Sequence, residues 1–154
     1  MKKAFLMVLI AILGITVMAQ KPAITEKKDK KVEAPAAVKA AFLRDYTAAT
    51  KVNWSAEGTS FEAEFMLNNV EYSAVYDNNG QRKEVEMSIK VADLTQTSRD
   101  YIKDHYAGYK ITEASKITGE SGNISYEAEL TKGKEVMDVI FDVNGRFSKE
   151  VKGK

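Results

Sequence analysis

The chain has 154 residues, 44% hydrophobic and 29% charged, with a formal net charge of +1. It has no cysteine and one histidine, which excludes disulfides, thiol nucleophiles and zinc shells built on cysteines or several histidines. No strongly basic stretch accompanies a folded segment, so phosphate neutralisation cannot drive nucleic-acid binding.

The first element is a targeting segment. Lys2 and Lys3 precede an apolar run over Ala4–Val17, and Val17-Met18-Ala19 supplies a cleavage site before Gln20. Basic, apolar and small residues in that order predict a secretory signal peptide over 1–19. The run is shorter than the roughly 20 apolar residues of a membrane span, so no span is expected after cleavage. No cysteine follows it, so the protein is not expected to be a lipoprotein. The expected location is the periplasm or the extracellular space. Residues 20–33 carry five lysines and three acids and read as a solvated, Lys-rich flexible segment. Removing both segments leaves a weakly acidic remainder.

Two stretches then run in parallel. FEAEFMLNNVEYSAVYDNNG (61–80) aligns without a gap on YEAELTKGKEVMDVIFDVNG (126–145). Glu62, Ala63, Glu64, Asp77, Asn79 and Gly80 recur as Glu127, Ala128, Glu129, Asp142, Asn144 and Gly145. Upstream of each lies a helical stripe: Val38, Phe42 and Tyr46 at a spacing of four in one, Tyr101, Ile102 and Tyr106 in the other. Pro35 opens the first, and Asp93, Thr95 and Thr97 are cap candidates for the second. Four strands are expected after each helix, over 51–57, 60–67, 70–77 and 81–88, then 110–118, 123–131, 135–142 and 146–151. Phe61, Ala63, Phe65 and Leu67 alternate with Glu62 and Glu64, the mark of a sheet with one buried and one wet face. Asn-Asn-Gly and Val-Asn-Gly supply turns. The expected fold is therefore α+β: a tandem duplication of a helix plus a four-stranded antiparallel meander, over 34–89 and 90–151, with the helices on one face of the sheet.

Pro35 to Phe42, Asp45-Tyr46, Trp54, Phe-Glu-Ala-Glu-Phe (61–65) and Tyr-Asp-Asn-Asn-Gly (76–80), followed by a second ordered set from His105 to Gly145, carry a resemblance. Over about 34–151 the chain resembles the PepSY-like family of secreted Bacteroidetes proteins, also described as β-lactamase-inhibitor-protein-like. It departs from the pattern at Thr47, Ala107 and Thr95, where prolines are frequent. The resemblance implies a tandem helix-plus-four-strand fold and a periplasmic setting, and no established activity; enzyme inhibition enters only as an analogy of fold.

The residues give no catalytic site. His105 has Asp104 beside it and Asp100 five residues back, neither placed to orient an imidazole on a helix. The Asp-x-Asn-Gly loops at 77 and 142 lack the Gly and Glu of a calcium loop and read as β-turns. No phosphate-cradling glycine motif occurs. The pairs Glu62/Glu64 and Glu127/Glu129 have a glycosidase-like spacing, but they read as a solvated face whose acids keep ordinary pKa values. Trp54 reads as core, with an interface anchor as the alternative. No cofactor or metal is expected. The expectation is a non-catalytic exported binding protein, possible roles being inhibition or sequestration of an unknown protein or envelope component. The alternatives are an envelope-associated structural protein and an enzyme with an unrecognised site. A binding face is expected over Glu62, Glu64, Glu71, Glu127 and Glu129, facing outward around apolar Val136 and Ile140.

Overall fold

The computed structural model describes residues 32–152; the expected signal peptide and most of the Lys-rich segment lie outside the described residues. α1 (Ala36–Asp45) is followed by β1 (Thr50–Glu57), β2 (Ser60–Leu67), β3 (Val70–Tyr76) and β4 (Arg82–Ser88). A short 3-10 turn (Val91–Asp93) leads to α2 (Gln96–His105), then β5 (Lys110–Gly119), β6 (Ile124–Lys132), β7 (Glu135–Asp142) and β8 (Phe147–Lys152).

All eight strands form one antiparallel sheet in sequence order. This corrects the expected α+β tandem of helix-plus-meander modules: among the described residues the fold is mainly β, a single sheet with two ten-residue helices. The overturning feature is the β4–β5 seam, where Glu84 to Ser88 pair with Gly119 to Ser115 as an ordinary ladder. Backbone groups at the edges of two four-stranded sheets would be left unpaired, and joining the edges satisfies them.

Both helices lie on the same sheet face because both stripes need cover. Val38, Ala41 and Phe42 of α1 pack with Ala63, Phe65, Ala74 and Tyr76. Phe42 sits in a ring cluster, edge-on to Trp54 at 5.3 Å and to Phe65 at 5.0 Å between centroids. Trp54 is thus a half-buried part of this core. Ile102 of α2, with Leu94 before it, packs with Ala114, Ala128, Leu130, Met137, Val139 and Phe141. Thr95 caps α2, its hydroxyl accepting from Ser98 N–H at 3.1 Å.

The two Asp-x-Asn-Gly loops seat these helices. Asp77 Oδ1 accepts from the N–H groups of Asn79 and Gln81, and Asp142 Oδ1 accepts from those of Asn144 and Arg146. Each carboxylate is engaged by its own turn rather than offered to a metal. Gly145 has φ +79°, and a Cβ there would collide with the Thr95 hydroxyl at 1.8 Å, so this turn packs directly beneath the start of α2.

Candidate functional site

The helix-free face of the sheet carries the unusual chemistry. Directly opposed residues share a face in an antiparallel pair, so the register can be read across it in rows. One row runs Ser55–Glu62–Val75–Glu84. The next runs Asn53–Glu64–Ser73–Glu86–Ile117–Ser125. A third runs Ser88–Ser115–Glu127–Ile140–Lys149, and a fourth Glu113–Glu129–Asp138–Val151. All seven residues expected at a binding face lie here, since Glu71 opposes Met66 and Val136 opposes Thr131.

Their exposure differs from the expectation of outward-facing acids. Glu62 is only 6% exposed, Glu127 6% and Ile140 5%. Glu64, Glu71 and Glu129 are half-buried, and Val136 alone of the seven is exposed. Two more acids, unremarked in the sequence, are buried among them: Glu86 at 3% and Asp138 at 2%.

The cause is curvature. Glu84 on β4 feels the charges of Lys149 on β8 and Glu57 on β1. In a flat sheet those strands would stand about 19 Å and about 14 Å away, from a spacing of about 4.8 Å, beyond the screening length of roughly 8–10 Å in salt. The face must curl inward to bring them together. Its concave side draws the side chains into mutual contact and closes water out between them. Glu86 and Glu127, whose strands are two places apart, are likewise close enough for the charge of Glu86 to act on Glu127.

Burial with little counter-charge reshapes the acidity. Desolvation disfavours a carboxylate, and neighbouring carboxylates add to the effect. Glu62 is pushed up to about 7, first by burial and then by the charges of Glu57 and Glu64. Asp138 is pushed up to about 6 by burial, with Glu129 and Glu113 contributing. Glu84 is raised by burial. In the Glu86–Glu127 pair both groups are raised, burial leading. The Ser115 hydroxyl donates to Glu86, and the charge of Glu86 adds to the effect of burial on Glu127. The premise that these acids keep ordinary pKa values therefore fails.

Among the acids raised in this way, two carboxyl oxygens are left over. Ser55 donates to Glu62 Oε2 at 3.3 Å, but Glu62 Oε1 and Asp138 Oδ2 are buried with no hydrogen-bond partner. Orphaned buried acceptors are costly in a native structure and call for an explanation.

The remaining candidates are ordinary. His105 is exposed on α2, its Nδ1 2.9 Å from the Tyr101 carbonyl and its ring stacked on Tyr101 at 4.0 Å between centroids. No acid orients it as a catalytic base. A cavity of about 490 Å³ opens beside the β2–β3 turn, lined by Met66, Glu71, Met87, Lys90 and Asp93 among others. None of the acids with raised pKa lines it, so cavity and shifted chemistry do not coincide as they do in an active site. Among the described residues, no set of three His, Cys, Asp or Glu is arranged to hold a metal ion, and no helix is long and apolar enough to cross a membrane.

No family model and no curated protein matches the sequence. Solved structures do match its fold. A DUF2874 family protein from Bacteroides uniformis is 17% identical with a TM-score of 0.69, over 78% of this chain and 90% of that one. A Bacteroides eggerthii protein named provisionally as periplasmic is 11% identical with a TM-score of 0.70, over 79% and 90%. A BLIP-like protein from Bacteroides fragilis is 16% identical with a TM-score of 0.62, over 79% and 87%. The β-lactamase-inhibitor-protein-like part of the resemblance thus has structural support, whereas no family model stands behind the PepSY-like part; what the chain shares with these Bacteroides proteins is the fold.

Proposed function

We propose that the protein is a non-catalytic, exported binding protein that holds a cationic partner on the concave face of its sheet. The observation that carries the reading is the set of four acids at 2–6% exposure, Glu62, Glu86, Glu127 and Asp138, gathered on a face where Lys149 is the cation that their rows contain. A structure that needed only solubility would leave such acids in water. Burying them costs stability unless an opposite charge arrives. The half-buried Glu64, Glu71 and Glu129 rim the same surface and would steer a basic partner toward it. Apolar Ile140 and Val136 would supply contact area beside the acids.

Export is supported by the basic-apolar-small order of residues 1–19 and by the fold shared with a provisionally periplasmic protein. The absence of a catalytic role is supported by the separation of the cavity from the shifted acids. The fold shared with a BLIP-like protein is compatible with a partner surface made by a sheet.

An eight-residue oligolysine is the probe. Calorimetric titration at low salt and near pH 7.5 should show binding that weakens steeply as salt rises. A Glu64→Gln/Glu71→Gln/Glu129→Gln variant should bind at least about tenfold more weakly, because three rim charges are gone. Equal affinity of variant and parent would move the partner surface off this face.

A further inference from the structure

The floor of the concave face has a finer pattern than charge alone. Read diagonally, it carries an acid on every second strand: Glu62 on β2, Glu86 on β4 and Glu127 on β6. The strands between carry buried apolar groups, Val75 on β3 and Ile117 on β5, and β7 closes the track with Ile140 and Asp138. Carboxyl, hydrocarbon, carboxyl, hydrocarbon is the complement of a chain in which ammonium groups alternate with short methylene runs.

We infer that this track binds a linear polyamine, with its ammonium groups on Glu62, on the Glu86–Glu127 pair and on Asp138, and its methylene stretches on Val75, Ile117 and Ile140. The inference deepens the reading of a cation-binding face and rests on it.

Three observations separate this ligand from other cations. The first is access. Floor acids at 2–6% exposure leave little open space above them, which favours a slender chain over the surface of a globular partner. The second is the orphaned acceptors. Glu62 Oε1 and Asp138 Oδ2 are buried, unpartnered and near the two ends of the track. A primary ammonium brings three donors and no acceptor, which suits these two carboxyl oxygens. The third is spacing. Alternate strands are about 10 Å apart in a flat sheet, and side chains that reach toward one another shorten this, so that the charge of Glu86 acts on Glu127. Three- and four-carbon linkers fall within that range. A divalent metal ion is a poorer fit, since it needs oxygens converging on one point and no such set stands among the described residues.

The test is calorimetric titration of the protein with spermidine at pH 7.5 and low salt, beside oligolysine and Mg²⁺. Spermidine should bind tightly enough to survive a tenfold excess of Mg²⁺. Binding should release protons to the buffer, because a cation displaces those held among the floor acids, and it should weaken at least about tenfold at pH 5.5. Glu62→Gln/Asp138→Asn should lose at least about tenfold in affinity. Should that variant fold poorly by circular dichroism, Ile117→Trp, which fills the middle of the track, should block spermidine instead. Oligolysine binding without spermidine binding would overturn the polyamine assignment and leave the cation-binding face standing. Failure of both ligands to bind would overturn both. Displacement by equimolar Mg²⁺, or unchanged affinity in a folded variant, would also overturn the assignment.

Discussion

Glu62 and Asp138 each trade stability for an unneutralised place on the floor of the sheet. Their pKa values are raised, to about 7 and about 6, from ordinary values of 4.5 and 3.8. The sign follows from proton binding. Between the unfolded and folded pKa the native state holds more protons than the unfolded chain, so stability falls as pH rises through that window. The contribution of these groups should therefore be complete only below their ordinary values of 4.5 and 3.8 and be lost progressively toward pH 7. Urea unfolding at pH 5 and pH 7.5 should show a difference of roughly 1–3 kcal/mol, each shifted unit being worth about 1.4 kcal/mol before solvent screening. A flat profile over that range would mean that the acids ionise freely. The sequence shows the acids but not their fate. Glu62 with Glu64, and Glu127 with Glu129, alternate against an apolar face as any solvated strand does. Asp138 passes unnoticed between Val136 and Ile140. The available signal was the mixed character of the second face: Val75, Ile117 and Ile140 are too apolar for a surface that is merely wet, and acids among them are partly withdrawn from water.

Strands and helices were legible because each obeys one period. The eight strands lie within one or two residues of the alternating segments, and both helices carry their stripes at a spacing of four. Helix packing follows from the stripe. Phe42 is 2% exposed and touches Trp54, Phe65, Tyr46 and Tyr76 rings. Phe42→Ala should cost about 3–5 kcal/mol in chemical unfolding, the usual loss when a buried aromatic is removed. Trp54 fluorescence should shift in the folded variant, since the ring that packs edge-on against it is gone. A loss below about 1 kcal/mol would show that α1 is not anchored by this residue. Thr95, read as one of several cap candidates, proves to be the N-cap of α2. Which threonine serves depends on Gly145 passing beneath it, a contact between residues 50 positions apart that no local pattern contains.

At the scale of the whole molecule, the two parallel stretches of sequence pointed to two modules, and pairing of β4 with β5 makes one mainly β sheet instead. Local alternation cannot distinguish two edges from a seam, because both have the same periodicity; the outcome depends on whether unpaired edge groups find each other. Curvature was equally hidden. It is a property of eight joined strands, and it turns a row of ordinary glutamates into a cluster of buried acids. The account then predicts that stability and ligand binding oppose each other on this face. The most direct measurement compares the protein with a Glu62→Gln/Glu86→Gln/Glu127→Gln/Asp138→Asn variant in urea unfolding at pH 7.5, each with and without spermidine. The variant, freed of uncompensated buried charge, should be more stable by roughly 1–4 kcal/mol and indifferent to spermidine, while the parent is stabilised by it through mass action. A variant less stable than the parent and equally stabilised by spermidine would contradict the account.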